Sequence, residues 1–253
     1  MFKNAIVRLP CPLIKDGLTT ASLGKPGYPA ALIQHAAYVK TLRECGLEVT
    51  ILKEADKYPD SVFIEDVAIC TPGCAIITRP GAASRLGEII GMRQVLEEFY
   101  DSVEEIKFPG TVDGGDIMNA GENYYTGISQ RTNHEGAAQL TEILSRHGME
   151  VIPIPLKDLL HLKAGVAYLD NNKLLITNDL IHVAEFRKYE KILVDPSENY
   201  AANSLLINNT ILVPEGFPAT REKIEKAGYK TIAIEMSEFR KIDGGLSCLS
   251  LRF

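Results

Sequence analysis

Hydrophobic residues along this chain gather in short runs with the spacing of strands, and each run leads into a stretch with the spacing of a helix. The strand-like runs cover residues 5–9, 74–78, 124–128, 173–177 and 210–214, rich in Ile, Val, Leu and Tyr. The helix-like stretches cover 31–45, 88–99, 136–147, 184–189 and 220–227. A second strand-like run follows at 48–52, 103–106, 150–154, 191–194 and 231–234. Between one such unit and the next lies a further segment, at 61–70, 112–118, 159–169, 202–208 and 242–251. Gly46, Gly148 and Gly228 stand just past three of the helices, where a left-handed residue most readily ends a helix.

Five repeats over 253 residues average about 50 residues each, a period that signals an array of supersecondary units. An ordinary doubly wound α/β sheet also alternates strands and helices, so the order by itself fits two architectures. The chemistry of the further segments separates them. They carry Asp60, Glu65 and Asp66, then Asp113, then His161, then Asn203, then Cys248. Residues at one phase of a closed array face a common space. The expectation is therefore a five-fold pseudosymmetric α/β propeller of ββαβ-type modules, folded as a single catalytic domain over residues 1–253. Acids gathered away from water are costly without a counter-charge, so the cluster expects a cationic guest.

Composition narrows the partners more than the fold. The chain is 45% hydrophobic and 24% charged, with a net charge of -6 and a pI near 5.5. It has no basic cluster, so nucleic acid is not expected. No run is long enough to span a membrane, and the N-terminus lacks a cleavage signal. The cysteines at 11, 45, 70, 74 and 248 are odd in number and lack a framework spacing, which suits a reducing cytoplasm. Cys70 and Cys74 have no second pair of soft ligands near them, so no metal is expected. A homodimer stays open.

Two acid-Gly-Gly turns stand out, Asp113-Gly114-Gly115 followed by Asp116, and Asp243-Gly244-Gly245 followed by Cys248. Cys248 reads either as a buried structural residue of a terminal strand or as a thiolate nucleophile for a cationic carbon. His161, in apolar surroundings, reads either as structural or as an acid/base. A planar guanidinium matches carboxylates placed around it, and Asp60, Glu65, Asp66 and Asp113 are the acids available. An amino-acid substrate also needs a cation for its α-carboxylate, and Arg79, Arg85 and Arg131 follow the first strands of modules two and three. Gly17, Leu18 and Gly24 mark a loop of small residues that reads as a lid or as plain surface.

Taken together, Phe63-Ile64-Glu65-Asp66, Asp113-Gly114-Gly115-Asp116, Gly127-Ile128-Ser129-Gln130-Arg131-Thr132-Asn133, Leu160-His161-Leu162-Lys163 and Asp243-Gly244-Gly245-Leu246-Ser247-Cys248 resemble the dimethylarginine dimethylaminohydrolases. These belong with arginine deiminase and the amidinotransferases in the guanidine-modifying superfamily. The resemblance runs over essentially the whole chain, and the compact bacterial members look most similar. It implies a five-bladed α/β propeller without metal or organic cofactor. It also implies hydrolysis of Nω-methylated arginine to citrulline plus dimethylamine or methylamine. Cys248 corresponds to the nucleophile and His161 to the acid/base. Asp66 and Asp113 match acids that hold the guanidinium, with Asp60 and Glu65 beside them, and Phe63 joins the substrate-binding set. Arg85 and Arg131 match residues that grip the α-carboxylate. Leu18 and Ile242 match positions whose backbone carbonyls receive the α-amino group.

The nearest rival is hydrolysis of unmethylated arginine, but arginine deiminases usually carry an extra helical domain for which 253 residues leave no room. A non-catalytic arginine-binding protein is disfavoured by the presence of both Cys248 and His161. A papain-like thiol hydrolase would place its cysteine early, on a helix.

Overall fold

The computed structural model describes residues 1–253. The first module runs β1 (Asn4–Arg8), α1 (Tyr28–Glu44) and β2 (Glu48–Leu52). The second runs β3 (Ala68–Cys70), β4 (Ala75–Ile77), α2 (Met92–Leu96) and β5 (Val103–Glu105). The third runs β6 (Ile117–Ala120), β7 (Asn123–Ile128), α3 (His134–Ser145) and β8 (Glu150–Pro155). The fourth has only strands and a short turn, with β9 (Val166–Tyr168), β10 (Lys173–Ile176) and β11 (Glu190–Leu193). The fifth runs β12 (Leu205–Ile207), β13 (Thr210–Pro214), α4 (Pro218–Lys226) and β14 (Lys230–Ile234). After α5 (Ser237–Arg240), β15 (Leu251–Arg252) completes the sheet of the first module.

Five three-stranded sheets result, ordered β15-β1-β2, β3-β4-β5, β6-β7-β8, β9-β10-β11 and β12-β13-β14. Every middle strand pairs antiparallel with one neighbour and parallel with the other. A parallel pair needs a crossover, which explains why the helical stretch always lies between the middle strand and its parallel partner. Ile6, Ile76, Tyr125, Leu175 and Leu212 on the middle strands are fully buried. Burial on both faces is why these strands read as continuous apolar runs instead of alternating ones.

Two compact units divide the chain. Residues 1–64 with 165–252 hold the sheets centred on β1, β10 and β13. There α1 buries Ala31, Tyr38, Val39 and Leu42 in one core with Phe63 and Phe239. Each fully buried side chain of this size contributes about 1.5–3 kcal/mol. Residues 65–164 with Phe253 hold the sheets centred on β4 and β7, around Ile76, Val112, Tyr124, Leu140 and Leu144.

Two expected helices turn out differently. The 88–99 stretch splits, because Gly91 takes a left-handed φ of 82° between the 3-10 turn Ala83–Ile89 and α2. The 184–189 stretch forms only the 3-10 turn Ala184–Phe186, since the short connection from β10 to β11 leaves no room for more. The glycine stops hold: Gly46, Gly148 and Gly228 have φ of 91°, 73° and 95°. A 3-10 turn precedes each antiparallel strand, inside the further segment in four cases and, before β12, at Pro196–Ala202, mostly ahead of the 202–208 segment. Asp66 and Cys248 sit within their turns, Asp113 and His161 just before theirs, and Asn203 just after. The shared phase is that of the turn, not of the single residue.

Candidate active site

Within residues 65–164, the Gly114-Gly115 pair lets acids and imidazole crowd together. A Cβ on Gly115 would lie 2.7 Å from His161 Nδ1 and 3.0 Å from Asp66 Oδ1, while one on Gly114 would overlap the Glu65 carbonyl. The Gly115 N–H donates to Asp66 Oδ1 at 2.8 Å. Arg85 donates through Nη1 to Asp66 Oδ2 at 2.6 Å. It also holds Glu88, through Nε at 3.1 Å and Nη2 at 2.8 Å. His161 Nε2 lies 3.1 Å from Asp113 Oδ2. The Gly81 N–H donates to the other oxygen of Asp113 at 2.8 Å. Glu65, also buried, pairs with Lys163 at 2.7 Å.

Charges settle as the surroundings demand. Burial works against a proton on His161, but Asp66, Asp113 and Asp116 outweigh it and raise the imidazole to about 9. Burial pushes Asp66 up, yet His161 and Arg85 bring it down to about 2. Asp116 is pushed up to about 6 by burial, with His161 and hydroxyl donors opposing. At neutral pH His161 is therefore an imidazolium braced by carboxylates, the form a general acid requires. Ligand atoms of Asp66, Asp113 and His161 lie within 4.8 Å of one another, a spacing open to a metal ion. Arg85, Gly115, Gly81 and the imidazole already engage those carboxylates, so the set is satisfied as an ion-paired network.

Within the other unit, Cys248 stands on the 3-10 turn Ser247–Leu249, and its Sγ accepts the Gly245 N–H at 3.4 Å. Asn203 clamps this turn from both sides. It donates to Ser247 Oγ at 3.0 Å and accepts from Ser247 N–H at 2.9 Å. The glycines again serve close approach: a Cβ on Gly245 would lie 2.5 Å from Asn203, and one on Gly244 would enter the Phe63 ring. Tyr200 donates to the Gly244 carbonyl at 2.7 Å. The loop carrying Gly17, Leu18 and Gly24 is tied to the segment before these glycines. Thr20 N–H donates to Asp243 at 2.6 Å, Thr19 Oγ1 to the Lys241 carbonyl at 2.9 Å, and Gly27 N–H to Glu238 at 2.6 Å. Asp60, buried, accepts the Leu18 N–H at 2.9 Å, and the Ile242 side chain packs beneath Gly17. Leu18 itself is 41% exposed.

The expected residues thus gather in two clusters. One holds Glu65, Asp66, Arg85, Asp113 and His161; the other holds Leu18, Asp60, Phe63, Ile242 and Cys248. Arg131 is half-buried and its guanidinium enters no ion pair, whereas Arg85 is 4% exposed and engaged by two carboxylates. Any grip of Arg85 on a substrate carboxylate would come on top of that internal duty. Arg79 instead lies over the Phe108 ring. Sequence reasoning did not assign roles to Glu88, Asp116 or Lys163. Glu88 was signalled by its i, i+3 spacing from Arg85. Asp116 and Lys163 stood inside recognised motifs.

A family model described as "N,N dimethylarginine dimethylhydrolase, eukaryotic" matches residues 28–249. An N(G),N(G)-dimethylarginine dimethylaminohydrolase of Pseudomonas aeruginosa is 48% identical, with 100% of each chain covered. The chain belongs to the dimethylarginine dimethylaminohydrolase family. A solved dimethylarginine dimethylaminohydrolase of Pseudomonas aeruginosa, a cysteine-to-serine mutant complexed with citrulline, matches with a TM-score of 0.98 at 47% identity over 100% of both chains. A second solved dimethylarginine dimethylaminohydrolase, a histidine-to-glycine adduct with S-methyl-L-thiocitrulline, gives the same TM-score of 0.98 at 47% identity and 100% coverage of both chains. With five like sheets in hand, this likeness bears out the five-module α/β propeller as the fold class. No helix of this family member is long and apolar enough to cross a membrane.

Proposed function

We propose that this chain hydrolyses Nω-methylated arginine to citrulline and dimethylamine or methylamine. One observation carries the reading: in a chain of this family, His161 Nε2 stands 3.1 Å from Asp113 Oδ2, with Asp66 in the same cluster, and these acids raise the imidazole. In the proposed sequence, the Cys248 thiolate attacks the guanidinium carbon and forms a C–S bond. His161 gives its proton to the departing dimethylamine as the C–N bond breaks, leaving a covalent S-alkylthiouronium. The neutral imidazole then takes a proton from water as its oxygen attacks the same carbon. Collapse breaks the C–S bond and releases the thiolate, and the second water proton leaves the new carbonyl oxygen to the freed amine, giving citrulline and dimethylammonium.

The other roles are read from the chemistry of the side chains. Asp66, Asp113, Glu65 and Asp60 supply negative charge for a guanidinium, and Phe63 supplies apolar surface beside Gly244. Arg131, whose guanidinium enters no ion pair, grips the α-carboxylate in this reading, and Arg85 adds to it while anchoring Asp66. Backbone carbonyls of Leu18 and Ile242 receive the α-amino group. The reading takes residues 1–253 as one catalytic domain of five modules. Five cysteines without disulfides suit a cytoplasmic enzyme. Neither nucleic acid nor membrane enters as a partner, and a homodimer is compatible with the reading.

Steady-state assays on dimethylarginine, monomethylarginine and arginine, following citrulline and the released amine, test this directly. Turnover of arginine faster than of either methylated form would replace the reading with an arginine deiminase.

A further inference from the structure

Asp116 is fully buried at the end of the 3-10 turn Gly114–Asp116, and the functional reading gives it no contact with substrate. Its Oδ1 accepts the N–H of Leu162, the residue after His161, at 2.9 Å. Its Oδ2 accepts the Ser129 hydroxyl at 2.6 Å. Ser129 Oγ in turn accepts the N–H groups of Arg131 at 2.9 Å and Thr132 at 3.1 Å. The Thr132 hydroxyl also donates to Asp116, and its oxygen accepts the Asp113 N–H at 3.1 Å. Gly127 on β7 leaves the space: a Cβ there would lie 2.7 Å from Asp116 Oδ1 and 3.0 Å from Leu162 Cβ. One carboxylate therefore ties together the backbones that carry His161, Arg131 and Asp113.

We propose that Asp116 is a positioning residue that holds the acid/base His161 and the α-carboxylate-binding Arg131 in one frame, a claim that rests on the functional reading above. Hydrogen-bond polarity makes the requirement specific. The Ser129 hydroxyl has one proton and already accepts two N–H groups, so that proton must go to Asp116. The Leu162 N–H is likewise a donor only. Asp116 thus faces donors through both oxygens, and only a group that accepts at both ends serves. Asparagine has the same shape but presents one oxygen and one NH2. Whichever way it turns, a donor faces a donor, and either the His161 link or the Arg131 link is lost.

The test measures kcat and KM for dimethylarginine across pH in Asp116→Asn, Ser129→Ala and His161→Gly, with folding followed by circular dichroism. Asp116→Asn is expected to lower kcat by about a hundredfold, the scale of a small misplacement of a catalytic group. Its alkaline limb should also move to lower pH, because one of the three carboxylates facing His161 (Asp66, Asp113 and Asp116) has lost its charge. Ser129→Ala frees only the Arg131 turn, so KM should rise about tenfold with kcat held within about twofold. Wild-type kcat, KM and pH limb in Asp116→Asn, with His161→Gly inactive, would overturn the proposal. If Asp116→Asn does not fold, an unchanged KM in Ser129→Ala overturns it equally. Wild-type kcat in His161→Gly would instead remove the functional reading on which the proposal stands.

Discussion

His161 Nε2 and Asp113 Oδ2 lie 3.1 Å apart, and the carboxylate is fully buried while the imidazole keeps a small exposed edge. Burial opposes a charge on His161, so its rise to about 9 depends on Asp66, this contact and Asp116. Asp113→Asn keeps the shape and removes the charge. The alkaline limb of kcat should then fall by about one pH unit or more. The same coupling bears on stability. A raised folded pKa stabilises fully below the ordinary 6.5 and loses that contribution as pH climbs through about 9. Urea midpoints should therefore decline over that window in wild type and decline less in Asp113→Asn. Identical slopes would sever the link.

Cys248→Ser should leave binding of dimethylarginine largely intact and lose turnover by several orders of magnitude, roughly the scale of nucleophile knockouts. Its turn is clamped by Asn203 and Ser247, and a serine oxygen can accept the Gly245 N–H as Sγ does, so the fold should survive. Rapid quench and mass spectrometry should detect a covalent adduct in wild type and none in the variant. Activity within about tenfold of wild type would end the assignment.

Arg85 and Arg131 should part company. Arg85→Ala strands Asp66 and Glu88 without their buried cation and should cost about 3–5 kcal/mol of stability. Arg131→Ala breaks no ion pair and should melt near wild type. It should instead lose about thirty-fold to several thousand-fold in kcat/KM for dimethylarginine, with little change for the decarboxylated analogue. Equal losses on both substrates would mean that Arg131 does not read the carboxylate.

Gly244→Ala drives a methyl into the Phe63 ring, and overpacking of this kind costs about 1–3 kcal/mol. Turnover should fall too, because the turn bearing Cys248 must shift. Gly228→Ala is the control. It sits at φ 95° with open space around it, so it should cost only about 1 kcal/mol and leave kcat unchanged. Unimpaired kcat in Gly244→Ala would show that the Gly-Gly turn is a matter of folding alone.

His35 makes a separate acid liability. It is buried on α1, its Nε2 has no partner, and burial brings it to about 4 despite a bond to the Arg8 backbone. The unfolded chain takes up a proton near 6.5 that the folded chain refuses, so stability falls as pH drops from 6.5 toward 4. The loss should approach about 3 kcal/mol. His35→Gln should flatten the denaturant midpoint over that window; an unchanged acid slope would assign the sensitivity elsewhere.

Much of this protein is legible along the chain. Every middle strand appears as an apolar run because burial on both faces admits little else, and three glycines mark helix ends by the left-handed turn they adopt. The short 184–186 turn was not legible, because a few apolar residues at helical spacing carry no record of the space available to them. Motifs named His161, Asp113 and Cys248 because their surroundings in sequence are as specific as their chemistry.

The sequence by itself determined the module order, the two acid-Gly-Gly turns and the set of reactive groups, since periodicity and local turn chemistry act over a few residues. Only the tertiary structure decided who pairs with whom. Arg85 meets Asp66 across 19 positions, Gly115 meets Asp66 across 49, and Thr20 meets Asp243 across 223. Hydrogen-bond polarity chooses among donors and acceptors only after packing has brought them within reach. That is why Asp116, one more acid in a motif, became a bracket for His161 and Arg131 only once the chain had folded.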